Sequence, residues 1–169
     1  LSVGQADDER AIAVLHRQAA EGGSTQLVWL GGYRSDMSGT KAIEMDALAA
    51  EQGLSAIRFD YSGHGVSGGD FAKGTISRWT EEALAVIAAS GVSKVVLIGS
   101  SMGGWIALRV IQEARRLNLP FTVDGLVLIA PAPDFTSELI EPSLTEAERQ
   151  SLAERGYFEE PSEYSPEPN

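Results

Sequence analysis

Gly99-Ser100-Ser101-Met102-Gly103 fits the pattern G-x-S-x-G. A serine hydroxyl is a weak nucleophile until a base and donors for a developing oxyanion are arranged around it. The pattern alone is common in a chain rich in glycine and serine, so its setting carries the meaning. An apolar run, KVVLI at 94–98, precedes it, and helical periodicity follows over 102–117. That strand–turn–helix setting holds a nucleophile on a sharp elbow. The turn is tight, which accounts for Gly99, Gly103 and Gly104. The Ser101 hydroxyl is then expected at the carboxyl edge of a sheet, above a helix N-terminus whose amides can stabilise negative charge. Ser101 is the candidate nucleophile and Ser100 its inner neighbour. The plain alternative is a connecting turn whose serines serve only as caps.

A second constellation is Gly31-Gly32-Tyr33-Arg34-Ser35-Asp36, directly after the apolar run QLVWL at 26–30. Glycines let backbone approach a substrate closely. By position the Tyr33 N–H is assigned as one oxyanion donor and the Met102 N–H as the other. A plain strand–helix loop is the alternative here.

The third is Asp60-Tyr61-Ser62-Gly63-His64-Gly65-Val66-Ser67. His64 is the obvious candidate base. A triad histidine in this kind of site follows its acid late in the chain. His64 is therefore expected to hold the loop or line the cleft, and His16 to lie on the surface of an edge-like strand.

The elements that must position these residues alternate between two periods. Residues 10–17 alternate apolar and polar and read as one strand with one buried face. Short apolar runs at 26–30, 54–59, 94–98 and 123–129 read as strands, the last despite Gly125. Helical spacing covers 40–52, 76–89 and 102–117, with Gly53 and Gly91 as stops after the first two. Strand–helix alternation with short turns argues for an α/β fold, a mostly parallel sheet with helices on both faces. Two regions are expected, a core over 1–132 and an acidic, proline-rich segment over 133–169. In the latter, Ser143-Leu-Thr-Glu146 reads as a capping box opening a helix that ends near Gly156. The tail PSEYSPEPN reads as too acidic and proline-rich to be core.

Composition removes several functions. The chain has 169 residues, no cysteine, two histidines and a net charge of −11. That excludes a disulfide framework and thiolate metal sites, and leaves too few histidines for most histidine-based ones. The segment 133–169 holds ten acids against two bases. With no basic stripe, nucleic-acid binding is disfavoured. No apolar run approaches the ~18 residues of a membrane span. No G-x-G-x-x-G or G-x-x-x-x-G-K-[ST] follows any strand, which disfavours a nucleotide-binding domain. The chain starts with Leu, so its natural start is missing or processed. No signal peptide is visible, and a cytoplasmic location is the expectation.

GGYRSDMSGTKA, RFDYSGHGVSGG, a helix carrying ISRW, and LIGSSMGGW together resemble the α/β-hydrolase superfamily. They are most similar to serine esterases and thioesterases that include the mitochondrial acyl-glucuronide esterase and palmitoyl-protein thioesterase. The resemblance runs over about 10–165, with four blocks in order. It implies an eight-stranded fold, of which about five strands are expected here, and the start of a helical cap after residue 130. It implies a Ser–Asp–His triad acting on a small-molecule ester or thioester, without metal or organic cofactor. Ser101 takes the place of the family's serine, and Tyr33 and Met102 those of its oxyanion donors. No histidine follows His64, so the triad acid and base are expected outside these 169 residues. Asp134 takes a position that in this subfamily looks structural. The chain is accordingly expected to be the N-terminal part of an enzyme, inactive by itself. It is also expected to self-associate through the apolar 123–129 strand. The rival reading is a non-catalytic α/β-hydrolase-like binding protein.

Overall fold

The computed structural model describes residues 1–19 and 25–159. Among them, five strands form the main sheet: β3 (Val14–Arg17), β4 (Thr25–Leu30), β5 (Ser55–Phe59), β6 (Lys94–Ser100) and β7 (Thr122–Ile129). Their order is β3-β5-β4-β6-β7. β3 runs antiparallel to β5, and every other pairing is parallel. A two-stranded ribbon, β1 (Ser2–Val3) with β2 (Arg10–Ala11), precedes the sheet.

The expected single strand over 10–17 is two strands. Ala11 belongs to the ribbon, the Ile12 N–H donates to the Leu1 carbonyl, and pairing with β5 starts only at Val14. An alternating pattern does not reveal which partner each half finds, so it runs unbroken through the change. A bulge precedes Gly125: Val95 pairs with Val123 and Val96 with Gly125, which leaves Asp124 as the extra residue.

Three long helices cover the sheet. α1 (Thr40–Glu51) buries Ala42, Met45 and Ala49, the i, i+3, i+7 stripe of its sequence. That stripe packs on Trp29 and Ala56, with Leu27, Ile98 and Ile129 at the margin. Alternation along each strand sends Val28, Leu30, Ile57 and Leu97, all fully buried, to the opposite layer. There α3 (Met102–Leu117) contacts β4, β6 and β7 and packs against α2 (Ile76–Ala89). Each such aliphatic side chain contributes about 1.5–3 kcal/mol when fully buried. The Thr75 side chain caps α2 by accepting from the Arg78 N–H at 3.1 Å. Asn118, left-handed at φ 51°, closes α3. β7 is an edge strand, and its Leu126, Val127 and Leu128 are exposed.

The chain divides into two compact units, Leu1–Pro133 and Asp134–Asn169. The second holds a π-helical turn (Thr136–Ile140), α4 (Glu141–Ser143) and α5 (Glu146–Arg155). Its capping box is Thr145 with Glu148, two residues later than expected. Both serine/threonine–glutamate pairs have the required spacing, but Ser143 ends α4 and its hydroxyl donates to the Ile140 carbonyl at 2.8 Å. Gly156, at φ 81°, ends α5. The tail 161–169 lies outside the described residues. No helix among the described residues is long and apolar enough to cross a membrane.

Candidate active site

Parallel strands deliver their carboxyl ends to one edge of a sheet, where α/β proteins bind ligands. β4, β5 and β6 therefore bring the three chemistry-bearing loops to the same edge. The loop after β4 carries Gly31 to Gly39, the loop after β5 carries Asp60 to Gly69, and Ser101 follows β6 directly.

Ser101 adopts φ 53°, ψ −120°. Such a conformation costs an L-residue about 1–3 kcal/mol and persists only where its surroundings enforce it. Both sides of the residue are tied down. Its N–H donates to the Ile129 carbonyl at 3.0 Å, and its carbonyl accepts from the Gly104 N–H at 2.9 Å and the Ala132 N–H at 3.1 Å. The strained turn leaves Ser101 exposed and Ser100 buried, which separates the two serines by access. Met102 is the first residue of α3, so the helix itself leaves its N–H unpaired, at the positive end of the helix dipole.

Gly32 faces this serine. A side-chain carbon on Gly32 would lie 3.4 Å from the Ser101 Cβ. Ser35 turns back on Gly32: its N–H reaches the Gly32 carbonyl at 3.2 Å and its hydroxyl reaches it at 2.7 Å. The Gly32 carbonyl and the Tyr33 N–H share one planar peptide and point opposite ways. The turn thereby sets the direction of the Tyr33 amide. The Arg34 N–H is committed to His64 Nε2, and the Ser35 N–H to Gly32. The Tyr33 amide takes no part in these bonds. Gly32, Tyr33, Lys41, Ser100 and Ser101 line one cavity of about 310 Å³.

Asp60 ties two of the loops together from beneath. It is buried, and its carboxylate accepts from the Met37 N–H at 2.6 Å and the Val66 N–H at 2.9 Å. Gly65 sits at φ 47°, against the Asp60 carboxylate, where any side chain would collide with it. Behind this pair lies Glu82 of α2, 0% exposed, accepting from Ser62 N–H at 2.9 Å and Arg10 Nε at 2.7 Å. Burial, with the Glu82 charge adding to it, holds the Tyr61 hydroxyl well above the usual tyrosine range.

His64 is buried beside Tyr61, Phe71 and Trp79. Burial pushes its pKa below the ordinary histidine value, against the Ser62 carbonyl bond and the pull of Asp60 and Glu82. His16 is exposed on β3, 2.6 Å from the Gln26 amide nitrogen. β3 stands three strand spacings from β6, about 14 Å. Asp134 opens the second unit at φ 54°, its carbonyl accepting from the Glu138 N–H.

Sequence reading placed the three loops but passed over two of the residues that organise them. Asp60 was legible only as a turn residue at a strand end. Glu82, beside Glu81 on a helix, carries no local sign of burial.

The alpha/beta hydrolase family matches residues 15–168. Palmitoyl-protein thioesterase ABHD10 of human mitochondria is 31% identical over 147 residues, which is 87% of this chain and 46% of that protein. A protein from Agrobacterium vitis S4, provisionally assigned as a hydrolase, is 63% identical in its crystal structure. It superposes with a TM-score of 0.94 over 100% of this chain and 65% of its own. Mouse alpha/beta hydrolase domain-containing protein 10 is 27% identical with a TM-score of 0.74, over 97% of this chain and 62% of its own. The chain spans about half the length of the curated relatives it matches.

Proposed function

The chain belongs to the alpha/beta hydrolase family, and from that premise we propose that it carries the nucleophile and oxyanion hole of a serine esterase or thioesterase. The observation that carries this reading is the exposed Ser101 held at φ 53° between the Tyr33 loop and the start of α3. In it, the Ser101 hydroxyl oxygen attacks the carbonyl carbon of a carboxylic ester or thioester. The carbonyl oxygen becomes an oxyanion held by the Tyr33 and Met102 amides. Collapse expels the alcohol or thiol, protonated by the base with the proton it took from the Ser101 hydroxyl, and water then releases the acyl group from Ser101 as a carboxylic acid. Naming of the human and other relatives as palmitoyl-protein thioesterases supports an acyl substrate.

Neither histidine of the chain suits the base. His64 has both ring nitrogens engaged, and His16 lies at the far side of the sheet. The base and its acid are therefore assigned to residues outside these 169.

A fluorophosphonate probe tests the reading on the full-length protein. Covalent labelling of Ser101, abolished by Ser101→Ala, is expected. A folded protein that takes no label, or takes it elsewhere, would favour a non-catalytic binding role and overturn this one.

A further inference from the structure

His64 is 4% exposed and has no place in the chemistry above. Its surroundings nonetheless specify its protonation. Nδ1 lies 3.1 Å from the Ser62 carbonyl, and Nε2 lies 3.3 Å from the Arg34 amide nitrogen. A carbonyl only accepts and an amide N–H only donates. The ring must therefore be neutral, with its proton on Nδ1 and a bare lone pair on Nε2.

What that lone pair holds is the third residue of the Gly32–Ser35 turn. Arg34 has φ 53°, a conformation that non-glycine residues adopt at a cost and that needs an external tether. The tether has a rigid mount. The imidazole sits edge-on to Phe71 and Trp79, each at 5.1 Å between ring centres, and to Tyr61 at 5.8 Å. Phe71 also carries the Tyr33 ring at 5.1 Å and the Arg34 guanidinium at 4.8 Å. The Ser62 carbonyl that fixes Nδ1 also accepts from the Trp79 indole N–H at 3.2 Å, and the Ser62 N–H is clamped by Glu82. A continuous series of bonds, buried from Arg10 through Glu82 and Ser62 to His64 and part-buried at its last step, thus runs to the peptide next to the Tyr33 amide.

We propose that neutral, Nδ1-protonated His64 is a positioning residue of the oxyanion hole, holding the Arg34 amide so that the neighbouring Tyr33 N–H points at the oxyanion formed over Ser101. The proposal rests on the serine-hydrolase reading and deepens it. Protonating Nε2 would turn an acceptor into a donor facing another donor, and the turn would lose this bond and keep those from Ser35 to Gly32. The groups that act on the ring are the Ser62 carbonyl and Asp60 from the β5 end and its loop, Glu82 on α2, and Arg34 on the turn. Burial, aided by Arg34, opposes the charged ring, while the Ser62 carbonyl and the two carboxylates favour it, and opposition prevails. The tether is therefore intact at neutral pH and lost only under acid conditions.

Two variants of the full-length protein and one measurement on the wild type test this. His64→Phe keeps an aromatic ring in the box but offers no acceptor, whereas His64→Gln offers a carboxamide oxygen to Arg34. On a p-nitrophenyl ester, His64→Phe is expected to lower kcat by about ten- to a hundredfold. KM should hardly move, because oxyanion contacts act in the transition state. His64→Gln is expected to recover most of that loss. In ¹⁵N NMR of the wild type, His64 should show a protonated Nδ1, and the Arg34 amide should shift as His64 titrates. Wild-type kcat in folded His64→Phe overturns the proposal, and so does an Nε2-protonated ring. Equal losses in the Phe and Gln variants also overturn it, in favour of simple packing. If the variants do not fold, the tautomer and the Arg34 titration decide. Ser101→Ala run alongside separates the two levels. If it is dead while His64→Phe is unimpaired, only the His64 proposal falls. If it is fully active, the serine reading falls first.

Discussion

Gly103 lies so close to Leu30 that a side-chain carbon on the glycine would run into the Leu30 carbonyl oxygen. The helix that begins at Met102 therefore rests directly on the end of the strand that delivers the Tyr33 loop. The two amides assigned to the oxyanion belong to elements in backbone contact, and neither can move far without the other.

Gly103→Ala is expected to separate these elements. Backbone cannot swing aside as a flexible side chain can, so the cost should reach the upper part of the overpacking range, about 1–3 kcal/mol or more. Chemical denaturation should show a lower midpoint. Ester turnover in the protein that remains folded should fall as well, since the distance between the two amides changes. An unchanged midpoint would mean that α3 does not rest on β4 in solution.

Ser101→Ala in the full-length protein is expected to lower ester turnover at least about a thousandfold, as loss of a catalytic nucleophile does elsewhere. Ser100→Ala should be much milder, because Ser100 is buried and does not attack. Turnover of p-nitrophenyl esters compares them, and equal losses would identify the wrong serine as nucleophile.

Arg10→Ala removes the cation from a fully buried carboxylate. Arg10 is 3% exposed and its Nε bonds Glu82 at 2.7 Å. Breaking such a pair from one side costs about 3–5 kcal/mol, because the remaining charge stays buried and uncompensated. Equilibrium unfolding should show that loss for Arg10→Ala, and a smaller one for the double variant Arg10→Met/Glu82→Gln, which removes both charges. A double variant as unstable as the single one would show that the Glu82 charge is not what makes Arg10 necessary.

Stability should depend on pH through His64. Its folded-state pKa is depressed, chiefly by burial. The unfolded chain titrates at about 6.5, so below that pH it binds a proton that the folded state refuses. Stability is full above about pH 6.5, declines as pH falls towards the folded pKa, and does not decline further from this source below it. Thermal melts from pH 7.5 to 5 should show this decline, and His64→Gln should remove its share. A wild-type melting temperature equally insensitive in that window would contradict a buried neutral histidine.

Much of the architecture was legible because it is local. The stripe of Trp79, Ala83, Val86 and Ile87 and the run KVVLI record backbone preference and burial within a few residues. The tight turn at Ser101 was legible for the same reason, since strand, turn and helix are contiguous there. Where two local patterns competed, as at Ser143 and Thr145, spacing could not choose, because both place a glutamate three residues on. Over 10–17 the alternation marks extended chain but carries no sign that Ala11 and Val14 find different partners.

By itself, then, the sequence determined the α/β order of elements, the strand–turn–helix at Ser101, and the loops that stand beside it. Only the tertiary structure decided how those loops are held. Glu82 reads as one of two adjacent surface acids until the fold brings it to Arg10, 72 residues away, and to Ser62, 20 residues away. His64 reads as a candidate base until Arg34, 30 residues away, is found on its free nitrogen. Hydrogen-bond partners at such separations leave no periodic trace. A buried charge or lone pair is satisfied by whatever the packing places against it, and that is fixed only when the whole sheet edge has assembled.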